Sequence, residues 1–142
     1  MKKALLFSLM LTFLLGSFSC NAQETKKKAT DPVVSEKIEV YYFHFTRRCV
    51  TCNAVESEAI KHLQALYPEH VKKGTIKFTS VNLEEESSKA IAEKCKATGQ
   101  SLLVMSGDKR TDLTQSGFMN ARSQPEKFKK DIQAAIDPLI KK

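Results

Sequence analysis

Two cysteines three positions apart, Cys49 and Cys52, are the residues of this chain best suited to chemistry. They follow an aromatic run and the pair Arg47 and Arg48 in the stretch YYFHFTRRCVTCNA, residues 41–54. A C-x-x-C pair between a strand and a helix has its first thiol at the helix N-terminus, where free N–H groups and the helix dipole favour a thiolate. The second thiol lies nearly one turn later and can resolve a mixed disulfide. We therefore predict that Cys49 attacks and Cys52 resolves, with both arginines helping to lower the pKa of Cys49 below about 8.5.

The sequence gives less support to other roles for Cys49 and Cys52, and to a reactive role for Cys95. A purely structural disulfide remains open, although a bridge that closes only two intervening residues removes little chain entropy. Cys95 shares an apolar stripe with Ile91, which predicts a buried, inert thiol rather than a third redox partner. A zinc site would need two further ligands, and the remaining candidates lack finger-like spacing, so we predict no metal: His44, His62, His70 and Cys95.

Apolar periodicity predicts the elements that must position the cysteines. Ile38–Phe45 is β-branched and aromatic nearly throughout, as in a central strand covered on both faces. The other predicted elements are a helix over 53–67, a strand over 75–81, a helix over 82–98, a strand over 102–105, a hairpin partner within 111–119 and a helix after 123. This is the element order of the thioredoxin fold. We therefore predict an α/β fold with a central mixed four-stranded sheet and helices on both faces, βαβ-α-ββα.

Two helices carry more detailed predictions. The helix over 53–67 has an apolar stripe at steps of three and four residues, from which His62 points away. Ser123 is predicted to cap the last helix, with Glu126 at its third position and Pro125 in its first turn.

The N-terminus is typical of an export signal. Lys2 and Lys3 precede an uncharged apolar run over 4–18, which is short for a membrane span of roughly 20 residues. Two processing routes are possible for this signal: cleavage after Ala22, or lipidation of Cys20. Both routes predict an exported, periplasmic protein, which is anchored to the membrane if Cys20 carries lipid.

Composition fits one domain over 37–142 behind a signal peptide over 1–22 and a flexible, lysine-rich tether over 23–36. Of the 142 residues, 42% are hydrophobic and 27% charged, which is ordinary for a globular protein. The net charge of +7 would fall to +5 on signal cleavage, because Lys2 and Lys3 are lost. The lysines are scattered and no recognition motif accompanies them, so we predict no nucleic-acid partner.

The stretch FHFTRRCVTCNAVE resembles the thioredoxin superfamily, with departures from it. Thioredoxins usually have Trp-Cys-Gly-Pro-Cys where this chain has RCVTC over 48–52. The buried acid that they keep six residues before the first cysteine falls on Phe43. The resemblance therefore implies that proton transfer from Cys52 uses water or His44. The alternative is that His44 is hydrogen-bonded to the backbone and takes no part in proton transfer.

The loop before the third strand departs from the family as well. Thioredoxins have a cis-proline there, whereas this chain has ATGQSLLV over 97–104. Because a non-proline cis bond costs roughly 2.5–4 kcal/mol, we expect a trans loop around Gly99. By the resemblance, Gly99, Gln100 and Ser101 would form the partner-binding loop, and the missing proline implies a narrower set of partners.

The export signal, Tyr-Phe-His before RRC-x-T-C-N, and a Thr-Gly-Gln-Ser-Leu loop together resemble a small exported family of Bacteroidetes over residues 38–140. Its members are described as thioredoxin-like subunits of a nitrophenyl-compound (nitrophenylarsenical) nitroreductase. The resemblance implies a dithiol without cofactor that takes electrons from a membrane donor and passes them to a specific protein acceptor. Two alternatives stay open: a dithiol that binds a soft metal or trivalent arsenical without turnover, and a redox-silent interaction module.

Overall fold

The central strand, β1 (Ile38–His44), lies inside a four-stranded sheet in this computed structural model, which describes residues 36–140. The other strands are β2 (Ile76–Asn82), β3 (Ser101–Ser106) and β4 (Lys109–Asp112). Their order across the sheet is β2-β1-β3-β4. β1 pairs parallel with β2 and antiparallel with β3, and β4 pairs antiparallel with β3. The sheet is therefore mixed, as predicted.

Helices cover both faces of this sheet. Successive residues of a strand point to opposite faces, so β1 contributes to two hydrophobic cores. Tyr42 lies in the larger core with residues of α1 (Val50–Leu66) and α5 (Pro125–Ile140). Phe43 lies in the smaller core with residues around α3 (Lys89–Cys95). The aromatic run that predicts a two-sided strand is buried for this reason.

Two chain segments far apart in sequence meet at one edge of the sheet. β1 ends at His44 and leads through a loop to α1. β3 runs antiparallel to β1, and its first residue, Ser101, pairs with Phe43 near the end of β1. The loop before β3 therefore reaches the same edge as the loop that carries Cys49.

The predicted helix over 82–98 is shorter in the structure. A single 3-10 turn at Glu86–Ser88 precedes α3, which ends at Cys95. Lys96 then adopts a left-handed conformation with φ of 53°, a common way for a helix to end. This early end leaves residues 97–100 as the loop that leads into β3.

The predicted hairpin partner over 111–119 is only partly a strand. β4 ends at Asp112, and α4 (Thr114–Asn120) follows at once. The Asp112 Oδ1 atom accepts the Thr114 N–H at 2.9 Å, a local bond that turns the chain out of the strand. Gly117 of α4 then packs against Val55 of α1, a tertiary contact that the local pattern does not contain.

The predicted capping box of the last helix is wrong. α5 begins at Pro125, which lies in the first turn as predicted. Ser123 does not cap it, because its Oγ atom donates to the carbonyl of Met119 at 3.0 Å. α4 ends at Asn120, three residues before this serine, and its last carbonyls need donors.

The prediction that His62 points away from the apolar side of α1 is also wrong. It is buried at 3% exposure and meets the edge of the Phe128 ring of α5, with ring centroids 5.9 Å apart. α1 packs against both the sheet and α5, so its buried arc is wider than a narrow stripe.

The architecture is that of a thioredoxin-like α/β fold, with two short additional helices, α2 (Pro68–Lys72) and α4. The predicted signal sequence over 1–22 and residues 23–35 of the predicted tether lie outside the described residues. No helix in the described part of the chain has the length and apolarity needed to cross a membrane.

Candidate active site

Cys49 lies at the N-cap of α1, as the motif predicts. Its backbone is extended, with φ of −84° and ψ of 166°, and its carbonyl accepts the first helical bond from the Asn53 N–H at 3.1 Å. Its Sγ atom accepts the N–H of Cys52 at 3.1 Å. A cap side chain in this geometry uses one of the free N–H groups of the first turn. The sulfur that occupies it would be stabilised as a thiolate by the same donor and by the helix dipole.

Cys49 and Cys52 form a disulfide, with Cα atoms 5.1 Å apart. The two residues differ sharply in access to solvent, because Cys49 is exposed and Cys52 retains 3% exposure. An external thiolate can therefore approach Cys49, whereas Cys52, in the first turn of α1, is shielded from solvent. The attacking role of Cys49 and the resolving role of Cys52 stay predictions, and this difference in access agrees with them.

The two arginines before the motif have different surroundings. Arg47 is exposed. The Arg48 guanidinium lies 2.5 Å from the Glu56 carboxylate and over the Tyr42 ring, 5.5 Å from its centroid. The positive charge of Arg48 is therefore largely balanced by Glu56, a residue that sequence reasoning missed. Glu56 follows Cys52 by four residues, one helical turn, and that spacing was the available signal.

Tyr42 is a second site residue missed from sequence. It is fully buried, and its hydroxyl donates to the carbonyl of Cys52 at 3.0 Å. Burial raises the pKa of this hydroxyl, which the neighbouring Arg48 lowers in part. Counting six residues back from Cys49 leads to Phe43, yet Phe43 lies in the core on the other face of the sheet. The alternation of side chains along β1 predicts that the two point to opposite faces, but it does not say which face lies against α1.

His44 is satisfied by the backbone. Its Nδ1 atom lies 2.9 Å from the carbonyl of Phe45, so Nδ1 carries the hydrogen of that bond. Its ring stacks at a tilt on Tyr42, with centroids 5.8 Å apart. No hydrogen bond joins His44 to either cysteine within residues 36–140.

The loop Gly99–Ser101 reaches the disulfide through one side chain. The Gln100 amide nitrogen lies 3.6 Å from the Cys52 sulfur and donates to it. The Ser101 hydroxyl donates to the Gly99 carbonyl at 3.1 Å and is itself nearly buried. No peptide bond in the described part of the chain is cis, in agreement with the expectation for this loop.

Cys95 does not belong to this site. It is a free thiol with 1% exposure in the smaller core beside Tyr41 and Phe43. Burial raises the pKa of this thiol, which disfavours the reactive thiolate. The predicted burial of Cys95 is confirmed. Among the described residues no group of three or more histidine, cysteine or acidic side chains is arranged to hold a metal ion.

Comparisons with known proteins add little. No family model matches this chain, and no curated protein does either. A solved structure described as "Structure of a malarial protein" covers 59% of this chain and 94% of that chain, at 15% identity and a TM-score of 0.39. A similarity of this size carries no argument about function.

Proposed function

We propose that this protein is a thiol–disulfide oxidoreductase that carries two electrons between partner proteins through Cys49 and Cys52. The observation that supports it best is the position of the exposed residue Cys49 at the N-cap of a 17-residue helix, with the N–H of Cys52 3.1 Å from its sulfur. That environment stabilises the thiolate, which is the nucleophile and the leaving group of disulfide exchange. The buried Cys52 is held within bonding distance to resolve it.

The oxidised pair would be reduced in two exchanges. A thiolate of the donor attacks Cys49 Sγ and forms a mixed disulfide, and the bond between the cysteines breaks with its electron pair on Cys52 Sγ. A second donor thiolate then attacks the donor sulfur of that mixed disulfide, which oxidises the donor and releases Cys49. In total the disulfide gains two electrons, and its thiolates take protons from solvent.

The acceptor would be reduced by the same exchanges in reverse. The Cys49 thiolate attacks a disulfide of the acceptor, and one acceptor sulfur leaves with the electron pair. The Cys52 thiolate then attacks Cys49 Sγ, which restores the disulfide of this protein and releases the acceptor as a dithiol.

The sequence supports a narrower version of the proposal. The resemblance around RRC-x-T-C-N suggests a membrane donor and a specific acceptor, such as a nitroaromatic or arsenical reductase subunit. The basic and apolar start of the chain supports export to the periplasm, with Cys20 as a lipid anchor if it is not removed.

Cys52→Ser is the direct test of the carrier function. Without its resolving thiol, Cys49 should remain joined to its partner as a mixed disulfide that can be recovered from cells and identified by mass spectrometry. Cys95→Ser is the matched control, because it removes a buried cysteine that lies outside the site. Recovery of no adduct, together with a wild-type disulfide that dithiothreitol cannot reduce, would leave the redox-silent module as the better description.

Binding of a trivalent arsenical is a second candidate, favoured by the adjacency of the two sulfurs. Thiolates are soft ligands that such a centre prefers. If the reduced protein binds phenylarsine oxide through both cysteines but gives no mixed disulfide in the Cys52→Ser experiment, binding without turnover replaces the carrier function.

A further inference from the structure

The two sulfurs of the site have separate hydrogen-bond donors. Cys49 Sγ accepts the N–H of Cys52, a donor supplied by the helix start. Cys52 Sγ accepts the side-chain amide of Gln100, which comes from the loop before β3, 48 residues along the chain. No other hydrogen bond to Cys52 Sγ is formed by the described residues.

Cys52 needs such a donor more than Cys49 does. When a thiolate attacks Cys49, the electron pair of the broken bond goes to Cys52 Sγ. Cys52 retains 3% exposure, so water has little access to the charge that forms on it. A buried anion without a hydrogen bond is strongly disfavoured.

Two cations near the loop and the helix start, Arg48 and Arg110, have other partners. Arg48 pairs with Glu56 and covers Tyr42. Arg110 donates through Nε to the carbonyl of Cys95 and through Nη2 to Asp112. The donor in direct contact with the leaving sulfur is therefore the neutral amide of Gln100.

Gln100 is held in place from both sides. Ser101 pairs with Phe43 in the sheet, and its hydroxyl donates to the carbonyl of Gly99. One residue later, the N–H of Leu102 donates to Thr114 Oγ1 at 3.0 Å. The loop thus enters β3 through fixed bonds, which place the backbone of Gln100 beside the disulfide before the reaction.

We propose that Gln100 stabilises the thiolate of Cys52 during disulfide exchange, and so makes the Cys49–Cys52 disulfide easier to reduce. This inference rests on the proposed exchange function. Stabilising the reduced form of a dithiol makes its disulfide a stronger oxidant and its buried sulfur a better leaving group. The role adds redox tuning to the partner-binding role that the family resemblance implies for the loop.

Gln100→Leu replaces the amide donor with an apolar side chain of similar size. The equilibrium with glutathione should shift toward the disulfide by about threefold to tenfold, the effect expected of one modest hydrogen bond. Reduction by dithiothreitol should slow in the same direction, because Cys52 leaves less readily. Gln100→Glu keeps the shape but brings a carboxylate to the sulfur, so it should shift the equilibrium the same way and further.

Gln115→Leu is the matched control. Gln115 is an exposed glutamine whose amide also approaches a sulfur, Met119 Sδ at 3.7 Å, away from the disulfide. Its effect on both measurements should stay within about twofold, as for most surface substitutions. Circular dichroism of each variant checks that the fold is retained, and Gln100→Glu serves if Gln100→Leu does not fold.

The possible results distinguish the role of Gln100 from the proposed carrier function. If the wild-type disulfide exchanges with glutathione while the folded Gln100 variants match Gln115→Leu, the role of Gln100 is wrong and the carrier function stands. If the equilibrium moves toward the dithiol in Gln100→Leu, the role is also wrong. A wild-type disulfide that does not exchange at all removes both.

Discussion

Cys49 and Cys52 are chemically alike but lie in different surroundings. Cys49 is exposed and uses a backbone donor of its own helix, whereas Cys52 is buried and uses a side chain from a distant loop. A helix start stabilises only a group at its end, since the effect of the dipole falls off within the first turn. The second sulfur therefore depends on tertiary structure, and its surroundings are where the redox properties of this protein can be set.

Arg48 is held by partners other than the disulfide. Its guanidinium bridges Glu56 and the face of Tyr42, and both members of the ion pair are less than a quarter exposed. An ion pair of this kind is costly to break because one charge is left without a partner. Arg48 thus links β1 to α1 through these two contacts, and its effect on the pKa of Cys49 stays a prediction.

Arg48→Gln should lower the free energy of unfolding by about 1–3 kcal/mol, because the Glu56 carboxylate loses its cation and Tyr42 its covering group. Arg47→Gln, at an exposed neighbour, should change it by no more than about 0.5 kcal/mol. Urea unfolding of the oxidised proteins measures both. The double variant Arg48→Gln with Glu56→Gln should recover part of the loss, and equal stability of the two single variants would contradict this account.

α4 is the element that the sequence pattern describes least well, and its packing explains why. The helix has seven residues, too few to be stable alone, so its contacts must support it. Gly117 provides close approach: a Cβ atom there would lie 3.0 Å from Val55 Cγ1 and 3.6 Å from the Phe128 ring. Both neighbours are fully buried and have little room to move.

Gly117→Ala tests this contact between α4 and α1. Alanine favours the helix by up to about 1 kcal/mol, but crowding in a packed core costs about 1–3 kcal/mol, so the net effect should be destabilising. Thermal unfolding measures it. Adding Val55→Ala should make the two changes less than additive, because the smaller side chain accepts the new methyl group. Gly99→Ala is the control, because a Cβ atom added at Gly99 would meet no atom within 4 Å. A more stable Gly117→Ala would show that α4 is not held by close approach.

At the scale of the whole molecule, α1 and α5 close the larger core, and a buried histidine lies between them. His62 contacts Phe128, and its Nε2 atom lies 3.3 Å from the Glu58 carboxylate. Burial lowers the pKa of His62. Glu58 and Glu126 oppose this shift, and Lys61 and Lys129 add to it. The native state therefore binds a proton at His62 less readily than the unfolded chain does.

This difference predicts a loss of stability in acid. As the pH falls below the unfolded pKa of about 6.5, the unfolded chain takes up the proton first, so the free energy of unfolding falls. His62→Gln should lose less stability than the wild type between about pH 7 and pH 5. Urea unfolding across this range measures it, with His70→Gln as the control for loss of one histidine. Parallel pH profiles of wild type and His62→Gln would contradict the prediction.

The predictions made from sequence succeed where neighbouring residues decide the outcome. Ile38–Phe45 has the composition of a strand buried on both faces, and β1 has that environment. The hairpin partner forms but ends at Asp112, and the Ser123 cap is wrong, because each local pattern has a competing use in the folded chain. Asp112 turns the chain into α4, and Ser123 donates to Met119 instead of opening α5.

The sequence by itself determined the two cysteines, their spacing and their place between a strand and a helix. Those features depend on periodicity and on bonds within one turn, which the local chain contains. Only the tertiary structure decided that Tyr42 rather than Phe43 lies beneath Cys52, and that Gln100 reaches its sulfur. Both depend on the face to which β1 turns each residue and on the pairing of β1 with β3, which brings distant segments to one edge of the sheet.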